Sequence, residues 1–438
     1  MSSSLADSAA TWDLDLVQKR TVRTVLASQI SGGVGVVSGY TVTALLAYEL
    51  TGSATWAGLS AAANSIGSAA AAFPLAKYAS RVGRRPAMRT GYTIASAGAF
   101  VALMSAVTGW FFLLPLGVLG IGAGTATNLS ARYAASDLVP PEKRARTIGL
   151  IVWATTIGSG TGSLVSLSVL DPMGQRMGLP NFAGSFMAAA LLFLVAGAII
   201  EFRLRPDPLI LAGGVGAAGQ PRLPFRTSMR MILALPAARL AVIALMVSQA
   251  TMVSTMTMTP LHMSEAGQSG TAISVMLFSH VLGMYLLAPL IGLLTDLIGR
   301  TPMIFLSGGI GGLGAVWAGM SPGEDFFGLT AGMTLTGIGW CCGVIAASGL
   351  LTDSFPVHQR ASVQGAGDLC MAGFGALSGI VAGTIVAVWS YKSLNLGAAG
   401  LGVGLMVYVV VSHIGRGVAK SQVASCEPIP SQETLTRR

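Results

Sequence analysis

Residues 252–263 read MVSTMTMTPLHM, four methionines and a histidine in twelve positions. Thioether sulfur and imidazole nitrogen are neutral donors that suit Cu(I), whereas Mg, Ca and Mn take oxygen ligands. Met252 and Met256 stand four apart, as do His280 and Met284 further on. On a helix, residues four apart share a face, about 40° around the axis and about 6 Å along it. Two such pairs on neighbouring antiparallel helices make a four-ligand set for a soft monovalent ion: Met252, Met256, His280 and Met284. Met258, His262 and Met263 stand nearer the helix end as candidate entry ligands. Cys341, Cys342, Cys370 and Met371 offer sulfur for a candidate exit path. A zinc site would recruit more thiolate, carboxylate or histidine. Methionine is also the adaptable filler of apolar cores, and ordinary packing accounts for the same residues.

These side chains need helices, and composition identifies their solvent. Hydrophobic residues make up 53% of the 438-residue chain and charged residues only 10%, against roughly 25% charged in soluble domains. Most of the chain therefore faces lipid. Its 57 glycines fit helices that approach closely in a membrane. At roughly 20 residues per crossing, hydropathy divides the chain into twelve spans. The predicted layout is a tail over 1–21, six spans over 22–203, a linker over 204–237, six spans over 238–415 and a tail over 416–438. The start, MSSSLADSAATWDLDLVQKR, is polar and acidic, unlike a secretory signal peptide. Spans 7 and 8 place Met252, Met256, His280 and Met284 about 9–20 Å below one membrane face, at matching depth.

Charge orients the spans. Of 26 Lys and Arg, only Arg176 and Lys392 fall opposite the N-terminus, so the positive-inside rule predicts that both termini are cytoplasmic. The net charge of +9 then reflects topology and anionic membrane lipid, with no call for a nucleic acid. Ionisable residues inside the spans are few: His280 and Asp368, with Arg132 and Glu201 at the edges. Asp368 is the candidate coupling group.

An internal repeat sets the architecture. AKYASRVGRRP at 76–86 returns as GLLTDLIGRTP at 292–302, and DLVPPEKRARTIG at 137–149 returns as DSFPVHQRASVQG at 353–365. Both pairs share an offset of 216 residues. Subtracting it from the four soft ligands gives Val36, Tyr40, Asn64 and Ser68, so the repeat does not itself require methionine or histidine there.

The G-x-x-x-D-x-x-G-R-x-P pattern of 292–302 resembles the signature loop of the major facilitator superfamily, and the resemblance covers essentially the whole chain. It implies an all-α membrane fold, twelve transmembrane helices in two pseudo-symmetric six-helix bundles that rock about a central site. It also implies gating roles for Arg81, Arg84, Asp296 and Arg300. The first copy departs from the pattern, with Ser80 in place of the acid and Ala76 in place of the first glycine.

The M-x-x-x-M and H-x-x-x-M pairs, with 28 positions from Met252 to His280, resemble those of the CcoA-like bacterial copper importers. That resemblance implies copper uptake across the bacterial inner membrane for assembly of haem–copper cytochrome c oxidase. Copper is then the transported substrate, with no prosthetic group, and a cytoplasmic copper chaperone or thiol carrier receives it. No P-loop or hydrolase motif occurs, so neither an enzyme nor an ATP-driven pump is expected. Two rivals stay open: an exporter of a small organic molecule or drug, and a non-transporting copper sensor or assembly scaffold.

Overall fold

The computed structural model describes residues 13–215 and 223–424. Most of the first tail, part of the linker and the end of the second tail lie outside the described residues.

Twelve long helices run in chain order. The first half holds α1 (Leu14–Thr51), α2 (Ala54–Val82), α3 (Arg84–Thr108), α4 (Leu113–Ser136), α5 (Pro141–Val165) and α6 (Ala183–Arg203). The second holds α7 (Pro236–Glu265), α8 in two pieces (Gly270–Tyr285 and Ala288–Ile298), α9 (Arg300–Met320), α10 (Phe326–Asp353), α11 (Val357–Val388) and α12 (Tyr391–Ala424). Among the described residues, eleven helices are long and apolar enough to cross a membrane. The remaining long helix, α2, has 29 residues; its hydropathy is diluted by Asn64, Ser65 and Ser68, which line an interior cavity. Between the halves, the linker forms an amphipathic helix, Phe225–Ala234, whose Phe225 ring packs edge-on against Phe73 of α2 at 5.4 Å.

Local chemistry sets the ends and breaks. The Asp13 carboxylate accepts from the amides of Asp15 and Leu16 and caps α1. Pro289 has no N–H to give the carbonyl one turn earlier, and α8 breaks between Tyr285 and Ala288. Pro172 does the same past α5, where a π turn over Ser166–Leu170 joins a short helix, Asp171–Arg176. The signature loops each reduce to one residue. Gly83 turns α2 into α3 with φ 99°, and Gly299 turns α8 into α9 with φ 98°. Only glycine adopts that backbone without strain, which explains its return at the repeat offset.

Each half has its own apolar core, and the second-half core spreads over Ala145, Ile148 and Val152 of α5. The halves meet where α2 packs against α11 and α8 against α5. These contacts lie toward the face that carries the chain ends, hereafter the terminus side. Gly149 of α5 abuts the Ala288 carbonyl, and Gly365 of α11 abuts Ala76 of α2. Gly149 also nears Gly292, and Gly365 the Ala72 carbonyl, so the two contacts are repeat mates: 149 and 365 share the offset of 216, as do 72 and 288, and 76 and 292.

Candidate functional site

Two cavities lie between the halves. The first, about 170 Å³, is lined by Gln29, Gly33 and Val37 of α1, Thr125, Asn128 and Arg132 of α4, Val152, Thr155 and Ser159 of α5, Tyr285 of α8, and Trp340 of α10. The second, about 130 Å³, is lined by Asn64 and Ser68 of α2, Thr125 of α4, Gln249 and Val253 of α7, and Asp368, Met371 and Gly375 of α11. They adjoin at Thr125 and Leu129. They are also related by the repeat: Gly33, Val37, Val152, Thr155 and Ser159 of the first become Gln249, Val253, Asp368, Met371 and Gly375 of the second on adding 216.

The first cavity offers hydrogen bonds and aromatic surface. Gln29 donates through Nε2 to Thr155 Oγ1 at 3.0 Å, while its buried Oε1 has no partner. Tyr92 donates its hydroxyl to Asn128 Oδ1 at 2.8 Å. Trp340 donates through Nε1 to Gln249 Oε1 at 2.7 Å, and its ring meets Tyr285 edge-on at 5.6 Å. The lining is neutral apart from Arg132, which is already paired.

That pair breaks the repeat symmetry. Arg132 Nη2 lies 2.6 Å from Asp368 Oδ1, both side chains buried. Tyr133 donates its hydroxyl to the same carboxylate oxygen at 3.2 Å, and Arg132 Nε donates to Ser348 Oγ at 2.9 Å. The repeat mate of Arg132 is Ser348 and that of Asp368 is Val152. The cation thus belongs to the first half only and the anion to the second only. A buried charge left without its partner is strongly destabilising, so this bond holds α4 and α11 together at the cavity floor. The sequence signal for it was an intramembrane charge without a repeat mate. Sequence reasoning marked Asp368 but left Arg132 as an edge residue.

Below it lies a ring of ion pairs on the terminus side. Arg84 binds Asp137 through Nε at 2.8 Å and reaches Gln364 of the other half through Nη2 at 2.6 Å. Its repeat mate Arg300 binds Asp353, the mate of Asp137, at 3.1 Å. Arg144 also binds Asp353, across the halves. Asp296 accepts from the amides of Ala145 and Arg146 at 3.1 and 2.8 Å, a carboxylate at the positive end of α5. Ser80, at the matching position, instead donates to the Lys77 carbonyl of its own helix. Arg300 also donates to the Pro141 carbonyl, so Arg84, Asp296 and Arg300 all join the halves, while Arg81 is exposed and takes no part in these bonds.

The soft-ligand residues lie elsewhere. Met252 and Met284 are buried in the second-half core, and Met256 packs against it. His280 is fully buried; its Nδ1 meets the Met333 carbonyl of α10 at 2.7 Å, and its Nε2 has no partner. None of these four lines either cavity, whereas their counterparts Val36, Asn64 and Ser68 do. Met263 is buried in a cluster with Met276 and Met333, against which Met258 packs. The His262 ring stacks on Tyr391 at 4.1 Å, with Nε2 3.3 Å from the Ser321 carbonyl. Cys341 and Cys342 are buried in the core. Cys370 is partly buried, its Sγ 3.8 Å from Met229 Sδ of the linker helix; of the proposed exit ligands, only Met371 lines either of the two central cavities. Among the described residues, no three His, Cys, Asp or Glu side chains are placed to hold a metal ion.

Known proteins extend the picture. The Major Facilitator Superfamily profile matches residues 25–267 and 240–425. The uncharacterized MFS-type transporter YdeG of Bacillus subtilis is 37% identical over 91% of this chain and 93% of its own length. The riboflavin transporter RfnT of Brucella anthropi is 26% identical over 75% of this chain and 80% of its own. In fold, the human organic anion transporter MFSD10 superposes with a TM-score of 0.71 at 15% identity, covering 90% of this chain and 99% of that one. With twelve long helices in two repeat-related halves about a central cavity, and with these relatives, the chain belongs to the major facilitator superfamily of multi-pass membrane transporters.

Proposed function

We propose that this protein is a secondary transporter of a small uncharged organic solute that carries an aromatic ring and hydrogen-bonding groups. The observation that carries this reading is the first cavity: aromatic walls at Tyr285 and Trp340, polar neutral groups at Gln29, Asn128 and Thr155, and one cation already neutralised. A hydrophobic pocket with a few placed polar groups is the usual form of a small-molecule site. Riboflavin, the solute named for RfnT, belongs to this chemical class. The Lys and Arg bias supports an orientation with both termini cytoplasmic, and similarity to bacterial transporters supports a bacterial inner membrane. The terminus side is then the cytoplasmic gate, and Asp368 is the group through which protons drive transport. Binding of riboflavin and a panel of neutral heteroaromatic compounds to purified protein, read by quenching of tryptophan fluorescence, tests the reading. Saturable quenching by at least one compound, lost in Trp340→Ala, is expected; no binding across the panel sinks it.

Copper import is the second reading, and His280 is the observation that favours it. A buried imidazole nitrogen without a partner, on a helix beside the methionines of α7, is a donor available to Cu(I). Met252, Met256 and Met284 complete the proposed set, and copper would pass to a cytoplasmic chaperone or thiol carrier on its way to cytochrome c oxidase. Radiolabelled copper uptake separates the two readings. Uptake that falls in both His280→Ala and Met252→Ala supports copper; uptake indifferent to both removes it.

A further inference from the structure

Away from both cavities, Lys19, Arg20 and Arg23 of α1 and Arg203, the last residue of α6, surround a depression of about 370 Å³ that Leu16 also lines. The ion pairs formed among the described residues include none of these four cations. Among the described residues, no nearby acid forms an ion pair with them. Glu201 binds Arg89 at 3.2 Å and Arg205 at 3.1 Å, Asp13 caps α1, and Asp15, one turn before Lys19, forms no ion pair with it. Four converging like charges repel one another, so the depression is electrostatically incomplete.

Its depth indicates what completes it. The 21 residues of α6 span about 31 Å at about 1.5 Å per residue, matching a hydrocarbon core of about 30 Å. Arg203, at its end, therefore stands where hydrocarbon gives way to headgroups. The 38 residues of α1 extend about 57 Å and overshoot that core, which leaves Lys19, Arg20 and Arg23 in the same layer. Phe202 beside Arg203 is 71% exposed and Leu16 is 65% exposed, apolar groups suited to acyl chains next to the cations.

We propose that this depression is a binding site for the phosphate headgroup of an anionic glycerophospholipid. Arg20, Arg23 and Arg203 supply planar forks that bind phosphate oxygens in pairs, and Lys19 supplies a point charge. With four cations present, a headgroup with two phosphates matches the site better than one with a single phosphate.

Native mass spectrometry of the purified full-length chain tests the site. The lipid probes are diphosphatidylglycerol, phosphatidylglycerol and phosphatidylcholine, with inorganic phosphate as a separate arm. Retention is expected to fall in that lipid order. Arg20→Gln with Arg203→Gln should lower diphosphatidylglycerol retention about tenfold, while Arg176→Gln with Lys392→Gln on the opposite face leaves it unchanged. Equal retention by the double variant, or equal retention of phosphatidylcholine, overturns the proposal. Inorganic phosphate displacing the lipid at equal concentration overturns the lipid as the source. Photo-cross-linking of the unaltered protein with a headgroup-labelled diphosphatidylglycerol is independent of variant folding. Label on peptides carrying residues 14–26 and 198–205 is expected, and label absent from both overturns the site.

Discussion

Arg132 of α4 and Asp368 of α11, 236 residues apart in sequence, meet at 2.6 Å with both side chains buried. Neither has a charged repeat mate, so the bond has no counterpart in the repeat. It ties the halves together on the side already closed by the gate ion pairs, and it opens onto both cavities, since Arg132 lines the first and Asp368 the second. On the proposed coupling, a proton delivered to Asp368 would cancel the attraction between the halves.

Asp368→Asn keeps the shape of the side chain and strands the Arg132 guanidinium in a low-dielectric site. Loss of one partner of a buried pair costs about 3–5 kcal/mol, so the single variant should unfold at a markedly lower temperature. Arg132→Gln combined with Asp368→Asn should recover more than half of that loss. Thermal unfolding of the four proteins completes the cycle; a double variant as unstable as the summed singles would show that the two residues act independently.

Asp296 accepts from the Ala145 and Arg146 amides in the second turn of α5, and Ser80 makes no equivalent bond in the other half. Losing such a hydrogen bond costs roughly 1 kcal/mol, so Asp296→Ala should speed amide exchange at Ala145 and Arg146 about fivefold. Ser80→Asp should slow exchange at Ala361 and Ser362, their repeat mates on α11. Hydrogen–deuterium exchange reads both, and unchanged protection in both variants would remove Asp296 from the gate.

The contact between α5 and α8 closes on glycine. A side chain at Gly149 meets the Ala288 carbonyl, whereas Gly160, three turns along the same helix, has nothing within 4 Å. Gly149→Val should raise the closed state by about 1–3 kcal/mol, while Gly160→Ala should leave it unchanged. Spin labels on exposed Lys143 and Leu297 report the α5–α8 separation. A distance distribution for Gly149→Val identical to that of the unaltered protein would contradict the close packing.

Trp340 is both cavity wall and hydrogen-bond donor to Gln249. Trp340→Ala should weaken binding of a neutral heteroaromatic solute by on the order of 30-fold, since a buried aromatic anchor carries a large share of such affinity. Trp340→Phe keeps an aromatic face and loses one hydrogen bond, for a loss of about fivefold. Isothermal titration with riboflavin as the probe distinguishes them, and equal affinities in all three proteins would place the solute elsewhere.

Much of this was set by the chain itself. Apolar runs of span length, the Lys and Arg bias and two motifs at one offset determine twelve helices in two halves, because a chain in lipid must satisfy its backbone within helices. The repeat pairs Gly83 with Gly299, and the structure shows why: each turns one helix into the next at positive φ. The resemblance to the family's signature loop picks out Arg84, Asp296 and Arg300, and in the fold Arg84 reaches Gln364, Asp296 the Ala145 and Arg146 amides and Arg300 the Pro141 carbonyl of the opposite half. The floor pair was not: Asp368 stood out as a lone intramembrane acid, but nothing local to residue 132 says that α4 and α11 will cross there. The soft-ligand stripe marks the opposite limit. Helical spacing puts Met252 with Met256 and His280 with Met284 on shared faces, yet which way each face turns depends on the helices packed around it. In the fold, α10 takes the His280 face and the core takes Met252 and Met284. The cavity is lined by Gln249, Tyr285 and Trp340 instead. Sequence fixes the period of a helix, but only the packing of all twelve fixes its rotation, and rotation decides which side chains a solute meets.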